Sequence, residues 1–263
     1  MDIDGTLISK TGIISDEDRR ALDDARKAGI KISLCTGRVS ISCLEILNTL
    51  SLDGYHIFFD GALICDSKLE EEVYSSPISA ELVNQVYEAA LKDSIPLDLC
   101  SRTQYFVMKE SWRSCIRRTF FGIEATITDF RTLWQRENIL KGGIIVSSLE
   151  EDRKVRSYSN KFSNSLCFSW TISPACPEYR FINIINKGVS KGIALEYLIS
   201  HLGIKKEEVI AIGDGLNDLS LLSTAGLAVA MQNSPPDLKS LADYITADAE
   251  HCGVAQAIHR FIL

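Results

Sequence analysis

The first residues of the chain place two carboxylates close together. Asp2 and Asp4 lie two positions apart in the segment Asp2-Ile3-Asp4-Gly5-Thr6. In an extended chain, side chains at this spacing point to the same side, whereas Ile3 points away. Gly5 permits a tight turn directly after them. Because sites in parallel α/β sheets form at the carboxyl ends of strands, the pair predicts an acidic site at one such end.

A second acidic segment follows an apolar run near the carboxyl terminus. Gly213-Asp214-Gly215-Leu216-Asn217-Asp218 comes directly after the predicted strand 209–212. Read alone, it is a strand-to-helix turn with an N-cap. That reading leaves two acidic strand ends unexplained, since two unit charges ~4 Å apart repel by about 4 kcal/mol at an effective dielectric near 20. A divalent cation relieves this repulsion, and an all-oxygen ligand set favours Mg²⁺.

Phosphate-binding donors occur between the two acidic segments. Thr36, Gly37 and Arg38 end another predicted strand, and Lys191 opens a predicted helix. A hydroxyl, backbone N–H groups and a lone lysine are the donors that hold a phosphoryl group. Taken singly, Thr36 is read as a cap and Lys191 as a surface charge.

The elements that must position these residues alternate between strand and helix in both flanks of the chain. Hydrophobic periodicity and caps predict helices at 16–28, 42–50, 191–202 and 218–222, and strands at 30–35, 57–59, 209–212 and 227–230. Such alternation predicts right-handed crossovers and a mostly parallel sheet. The expected fold class is α/β, with a Rossmann-like core.

The middle of the chain has a different pattern. It predicts helices at 79–91, 112–121 and 150–162, and strands at 97–100, 105–108, near 126 and 144, 167–172 and 180–185. Adjacent strands flanked by helices indicate an α+β unit with an antiparallel sheet. We therefore expect a core domain of residues 1–78 and 184–263, interrupted by an inserted α+β domain of residues 79–183.

Composition excludes several classes of protein. The net charge is −7 and no run of lysine or arginine is present, which disfavours nucleic acid and membrane partners. The eight cysteines form no CxxC pair, and the amino terminus lacks a signal-peptide pattern. We expect a cytoplasmic protein with cysteines that act as small apolar residues, either a monomer or a homodimer.

Together the motifs resemble the four ordered motifs of the haloacid dehalogenase-like (HAD) hydrolase superfamily. The matching segments are Asp2-x-Asp4-Gly5-Thr6, Thr36-Gly37-Arg38, Lys191 and Gly213-Asp214-Gly215-x-Asn217-Asp218. The downstream Ala230-Met231-x-Asn233 and the large insertion resemble the Cof-type (IIB) branch, whose sugar-phosphatase-like members carry an α+β cap of the C2 type. The match covers the chain nearly end to end.

This resemblance implies a Mg²⁺-dependent phosphatase of small phosphorylated metabolites, such as a sugar phosphate. Asp2 is then the nucleophile that forms an aspartyl-phosphate, and Asp4 the general acid and base. The implied Mg²⁺ ligands are the Asp2 and Asp214 side chains and the Asp4 backbone carbonyl. Further roles follow by resemblance: Thr36, Gly37, Lys191 and Asn217 bind the phosphoryl group, Arg38 binds substrate or a core carboxylate, and Asp218 orients Lys191 or a metal-bound water.

Two features depart from the family pattern. Relatives have an apolar strand before the first aspartate, whereas only Met1 precedes Asp2, so we expect an internal start site or a truncated chain. Asp60-Gly61-Ala62 stands where relatives often have Asn-Gly-Ala, which adds a negative charge. Arg102, Tyr105 and Arg180 are candidates for substrate contact in the insertion.

Three other functions remain open at this point. A capped phosphosugar mutase would use the same motifs, and product analysis separates it from a phosphatase. A non-catalytic phosphometabolite sensor would not need the acid–base residue Asp4. A receiver domain with Asp2 as phosphoacceptor needs roughly half this length and no insertion.

Overall fold

The computed structural model describes residues 1–172 and 176–263, and its elements alternate much as the sequence predicts. The helices are α1 (Asp16–Lys27), α2 (Leu44–Leu50), α3 (Ala80–Lys92), α4 (Trp112–Phe121), α5 (Phe130–Leu133), α6 (Leu149–Asn160), α7 (Lys191–Leu202), α8 (Leu219–Thr224), α9 (Pro236–Leu241) and α10 (Gly253–Phe261). The strands are β1 (Tyr55–Phe58), β2 (Leu63–Asp66), β3 (Glu72–Ser75), β4 (Asp98–Cys100), β5 (Tyr105–Val107), β6 (Ala125–Ile127), β7 (Lys141–Val146), β8 (Leu166–Thr171), β9 (Arg180–Asn186), β10 (Ile210–Gly213), β11 (Leu227–Ala230) and β12 (Tyr244–Ile245).

The described chain divides into two compact units. Unit 1 comprises Met1–Arg38, Cys43–Tyr74 and Ser190–Leu263, and unit 2 comprises Val39–Ser42 and Ser75–Val189. The predicted insertion, residues 79–183, lies within unit 2.

Unit 1 contains a parallel sheet at its carboxyl-terminal side and a strand meander nearer its amino terminus. Strands β10, β11 and β12 pair in parallel, in that order. Strand β1 pairs antiparallel with β2, and β3 completes that second sheet. The predictions near 57–59, 209–212 and 227–230 are confirmed within one or two residues, but β2, β3 and β12 were not predicted.

The amino-terminal residues lie between the two sheets of unit 1. The Cys35 N–H donates to the Met1 carbonyl at 2.8 Å, and the Asp2 N–H donates to the Ile212 carbonyl at 2.9 Å. On its other side Cys35 forms a parallel bridge with Ile57. These bonds place the carboxyl ends of several neighbouring segments side by side.

The predicted strand at 30–35 is wrong except at Cys35. Residues 30–34 do not form a strand, although the Leu34 carbonyl accepts from the Ile57 N–H at 2.8 Å. A cavity of about 880 Å³ borders Ile30, Lys31, Ile32 and Ser33. Among the described residues, this stretch has backbone partners only at its end, where Ser33 bonds to Met1 and Leu34 to Ile57, so no continuous ladder forms along it.

Helices α1 and α7 begin where their serine caps predict. The Ser15 hydroxyl accepts from the Asp18 N–H, and the Ser190 hydroxyl accepts from the Ile193 N–H. Helix α7 ends at Gly203, whose φ of 66° is the left-handed conformation that glycine adopts readily. The helix predicted at 42–50 begins only at Leu44 in the structure, because a 3₁₀ turn at Ser40–Cys43 precedes α2.

Unit 2 is an α+β unit, as predicted. Its six strands run in the order β6-β5-β4-β7-β9-β8, and all neighbours pair antiparallel except β5 and β6. One face of this sheet buries apolar side chains against α3 and α6, including Leu99, Ile144, Ile182, Val86 and Tyr158. That arrangement leaves the opposite face of the same strands for other partners.

Within the described ranges, no helix is both long and apolar enough to cross a bilayer. No disulfide joins the described cysteines, and five of the eight are buried.

His56 makes stability depend on pH. It is buried in unit 1, where its Nδ1 accepts from the Leu34 N–H at 3.1 Å, and burial lowers its pKa to about 4. Because the folded pKa lies below the usual ~6.5, the unfolded chain binds the proton more readily. The contribution is fully present above about pH 6.5 and is lost as the pH falls toward 4, by ~1.4 kcal/mol per unit and ~3 kcal/mol in all.

Denaturant titrations between pH 7.5 and 4.5 check this expectation. His56→Asn keeps an acceptor for Leu34 and should flatten the pH dependence of the free energy of unfolding. His259→Gln, which alters an exposed histidine, should leave it unchanged. Equal slopes in wild type and His56→Asn would show that His56 is not responsible.

Candidate active site

The structure brings the ends of three sequence segments together in unit 1. Asp2 lies beside β10 through its backbone bond to Ile212, and Thr36 follows Cys35 on the other side of Met1. Asp214 begins the loop after β10. The predicted convergence of acidic and phosphate-binding segments is therefore present as a spatial arrangement.

Lys191 is the central cation of this arrangement. Its side chain is fully buried, and its Nζ lies 2.9 Å from Asp2 Oδ1 and 2.6 Å from Asp218 Oδ1. Burial by itself lowers the pKa of Lys191, but the Asp2 and Asp218 carboxylates raise it well above its usual value overall. The interpretation of Lys191 as a surface charge is thus wrong, since the first turn of α7 buries it as a charged group.

Asp218 joins Lys191 to the loop after β10. Its second oxygen, Oδ2, accepts from the backbone N–H groups of Asp214 at 3.0 Å and Gly215 at 2.9 Å. A Cβ at Gly213 would lie 2.7 Å from Asp218 Cβ, so only glycine permits this close packing. Asp218 fixes both the loop backbone and the lysine.

Asp214 is held by two side chains from other segments. Thr6 Oγ1 donates to Asp214 Oδ1 at 2.9 Å, and Asn233 Nδ2 donates to Oδ2 at 2.9 Å. Burial and the nearby Asp218 charge raise the pKa of Asp214 to about 6. Neither Thr6 nor Asn233 was among the candidate site residues, although both stand inside the quoted motifs DxDGT and AMxN.

Asp4 is paired with Arg38. Arg38 Nε and Nη2 donate to the two Asp4 carboxylate oxygens at 2.8 and 2.6 Å, a bidentate arrangement. About a third of the Asp4 side chain remains exposed. Of the two alternatives for Arg38, the structure shows the contact with a core carboxylate.

The remaining phosphate-binding candidates lie around Asp60. Thr36 is buried, and its Oγ1 accepts from the Arg38 N–H at 3.1 Å. Asn217 Nδ2 donates to Asp60 Oδ1 at 3.0 Å. A Cβ at Gly37 would lie 2.7 Å from the same oxygen. Asp60, noted in the sequence only as a departure, therefore organises this side of the site.

Three carboxylates could hold a metal ion. Asp2, Asp214 and Asp218 each offer an oxygen, and these atoms lie within 4.8 Å of one another. Burial, reinforced by Asp218, raises the pKa of Asp2 well above its usual range despite the opposing lysine. Crowded, buried oxygen donors of this kind fit a hard divalent cation. Asp218 is fully enclosed, with Lys191 on Oδ1 and two backbone N–H groups on Oδ2, whereas Asp2 and Asp214 keep some exposure, so these two are the better placed ligands.

The three candidates for substrate contact occupy separate places in unit 2. The Arg102 carbonyl accepts a hydrogen bond from Ser40. Tyr105 is buried, and its hydroxyl donates to Asp98 Oδ2 at 2.9 Å. Arg180 Nη1 lies 3.4 Å from Asp152 Oδ2. The structure does not bring these three side chains together.

Comparison with known proteins identifies the class that this fold and site define. The family model for haloacid dehalogenase-like hydrolases matches residues 1–258. A chain from Bacteroides thetaiotaomicron described as a haloacid dehalogenase-like hydrolase superposes with a TM-score of 0.87 and 26% identity, covering 99% of this chain and 97% of that one. The protein belongs to the haloacid dehalogenase-like hydrolase family.

Individual relatives narrow the class to its Cof-type phosphatases. The 5-amino-6-(5-phospho-D-ribitylamino)uracil phosphatase YcsE of Bacillus subtilis is 30% identical over 100% of this chain and 94% of its own. A HAD subclass IIB sugar phosphatase superposes with a TM-score of 0.78 at 28% identity, covering 99% and 96% of the two chains. The protein is a phosphatase of this branch, with the HAD-like core and cap expected from the sequence.

Gly5 gives a direct test of how the site is assembled. Its φ is +86°, and a Cβ there would lie 2.3 Å from Asp214 Oδ2. We expect Gly5→Ala to displace Asp214 and to reduce phosphatase turnover severely. Gly12 is the matched control, because its φ is +79° but a Cβ there would have nothing within 4 Å.

Both alanine variants should lose ~1–2 kcal/mol of stability from the left-handed backbone. Phosphate release and denaturant unfolding, measured together, separate strain from displacement. Full turnover in Gly5→Ala would mean that Asp214 does not need its present position.

Proposed function

We propose that this phosphatase is Mg²⁺-dependent and hydrolyses the phosphate monoester of a small metabolite, a sugar phosphate, through an aspartyl-phosphate on Asp2. The observation that carries the proposal is the buried Lys191 ammonium between Asp2 and Asp218. A buried cation beside one acid of a carboxylate cluster attracts an anionic substrate and opposes the effect of burial, which raises the pKa of that acid.

Asp2 has the contacts expected of a nucleophile. Oδ1 is engaged by Lys191, whereas Oδ2 accepts from no described residue and is not sealed from solvent. In the first step, this carboxylate forms a bond to phosphorus while the ester P–O bond breaks. Water then attacks the aspartyl-phosphate, which returns Asp2 and releases inorganic phosphate.

Asp4 moves the protons in both steps. It gives a proton to the departing alkoxide and later takes one from the attacking water. Because Arg38 donates to both carboxylate oxygens of Asp4, at least one of these two hydrogen bonds must open while Asp4 holds the proton.

The remaining side chains hold the phosphoryl group in this proposal. Among the described residues, Lys191 directs two of its three N–H bonds to Asp2 and Asp218, which leaves one for a phosphoryl oxygen. Thr36, Gly37 and Asn217 are the other donors, as the family resemblance implies. Asn217 keeps its orientation through Asp60.

Mg²⁺ would be held by Asp2 and Asp214, with the Asp4 backbone carbonyl as a further ligand by family resemblance. When bound, it offsets the repulsion between an anionic nucleophile and an anionic substrate. The three crowded carboxylates support this cation on their own geometry.

The relatives support a small phosphorylated substrate. Their names specify 5-amino-6-(5-phospho-D-ribitylamino)uracil for the Bacillus subtilis enzyme and HMP-PP for a Yersinia pseudotuberculosis enzyme that is 29% identical. We assign unit 2 the role of the cap that selects among such substrates. A cytoplasmic enzyme, monomeric or homodimeric, is part of the same proposal.

Asp2→Asn tests the covalent mechanism. The amide is nearly isosteric but cannot attack phosphorus, so phosphate release should fall by at least about a thousandfold. The assay uses a panel of sugar phosphates and measures free phosphate against total organic phosphate. The exposed Asp23→Asn is the control.

The same assay separates the alternatives. Conversion with unchanged organic phosphate would identify a mutase, and binding without conversion would identify a sensor. Normal release by Asp2→Asn would exclude the aspartyl-phosphate.

Asp214→Asn tests the metal site. Removing one buried ligand charge should weaken Mg²⁺ binding by about tenfold or more. Calorimetric titration with Mg²⁺ alone measures this without turnover, and EDTA should abolish phosphate release by the wild type. Equal Mg²⁺ affinity in Asp214→Asn and Asp23→Asn would place the ion elsewhere.

A further inference from the structure

Unit 2 contains a buried arginine on the sheet face opposite its apolar core. Arg117, in α4, is 9% exposed, and its Nε donates to Asp98 Oδ2 at 3.2 Å. Its guanidinium also lies over the rings of Tyr105 and Phe181, at 5.4 and 5.8 Å from their centroids. The sequence did not single out this residue.

Most hydrogen-bond donors of Arg117 are unused. A guanidinium has five N–H bonds, and only Nε–H finds an acceptor within residues 1–172 and 176–263. Its nitrogens are not among the unpartnered polar atoms that the described fold seals from solvent. Buried polar groups are normally hydrogen-bonded, so four open donors at this depth indicate a place for an acceptor from outside the chain.

The strands beneath Arg117 are shaped to receive it. Gly143 pairs with Asp98 on one side and Asn183 on the other, so these three positions share a face. A Cβ at Gly143 would lie 2.5 Å from Arg117 Nη2. The glycine therefore leaves the room that the guanidinium occupies.

Asn183 adds a second unused polar group. It is 8% exposed, and in the described part of the chain its side-chain amide has no hydrogen-bond partner. Its position opposite Gly143 places it beside the guanidinium. Lys141, another buried cation, lies two residues before Gly143 and so faces the same side of the sheet.

We propose that this face of unit 2 is a binding site for an anionic oxygen group of a small metabolite, a carboxylate or a phosphate, held by Arg117 and Asn183. A planar guanidinium with open N–H bonds matches such groups in a bidentate manner. The anion is either a second acidic group on the substrate, which rests on the proposed function, or a separate ligand.

Malonate binding to the full chain tests the site without catalysis. Arg117→Lys keeps the charge but loses the planar fork, and Asn183→Leu keeps the Arg117–Asp98 pair. Each should weaken malonate binding, measured by calorimetry, by at least about tenfold. Arg118→Gln is the matched control, since Arg118 is the exposed neighbour in the same helix. Asp2→Asn should bind malonate as the wild type does.

Kinetics distinguish the two sources of the anion. If the substrate carries it, KM for 6-phosphogluconate rises at least about tenfold in Arg117→Lys and in Asn183→Leu, while KM for glucose 6-phosphate does not change. If the ligand is separate, malonate binding falls in both variants and neither KM changes.

Two results would overturn the site if both KM values also stayed constant. One is unaltered malonate binding in both variants, and the other is no malonate binding by the wild type up to about 10 mM. Arg117-dependent malonate binding without any phosphate release would instead refute the proposed function and leave the anion site standing. Thermal unfolding of each variant verifies that it is folded.

Discussion

The structure of the active site depends on one buried charge, the ammonium group of Lys191. An isolated cation in a protein interior costs several kcal/mol, so the fold must bring carboxylates to it. Asp2 and Asp218 supply them from the first residues and from the loop after β10. Helix α7 can approach closely because residue 61 is a glycine. A Cβ at that position would lie 2.3 Å from the Ser190 carbonyl oxygen. One interaction therefore joins three segments that are distant in sequence.

The single positive charge of Lys191 does not balance the negative charges of the carboxylates around it. Lys191 contacts Asp2 and Asp218, Asp214 lies close to these two acids, and Arg38 is occupied by Asp4. Burial first, and then the charge of Asp218, raise the pKa of both Asp2 and Asp214. A divalent cation is the simplest complement to such a set, and an anionic substrate can approach only when the acids are neutralised. The electrostatics and the family assignment lead to the same chemistry.

The buried cation of unit 2 is paired in a different way. Arg117 is also a buried cation with a carboxylate partner, Asp98. In unit 1 two carboxylates share Lys191, whereas in the described part of unit 2 Asp98 meets a single Arg117 donor. The difference lies in the donor geometry, because a guanidinium has five N–H bonds in a plane and an ammonium has three. This contrast separates the ion pair that contacts the proposed nucleophile, Asp2, from the ion pair of Arg117, which keeps donors for the proposed ligand.

The sequence by itself determined the order of motifs, most helices with their serine caps, and the acidic and basic segments that meet in unit 1. These features are encoded within a few residues, by strand spacing in Asp2-x-Asp4 and by caps such as Ser190. Only the tertiary structure decided that Arg38 pairs with Asp4, that Asp60 orients Asn217 across 157 positions, and that Arg117 lies over Gly143. It also showed that residues 30–34 form no strand despite their apolar pattern. A strand needs a neighbour and a buried ion needs a partner, and both are set by distances across the whole sheet that no local pattern contains.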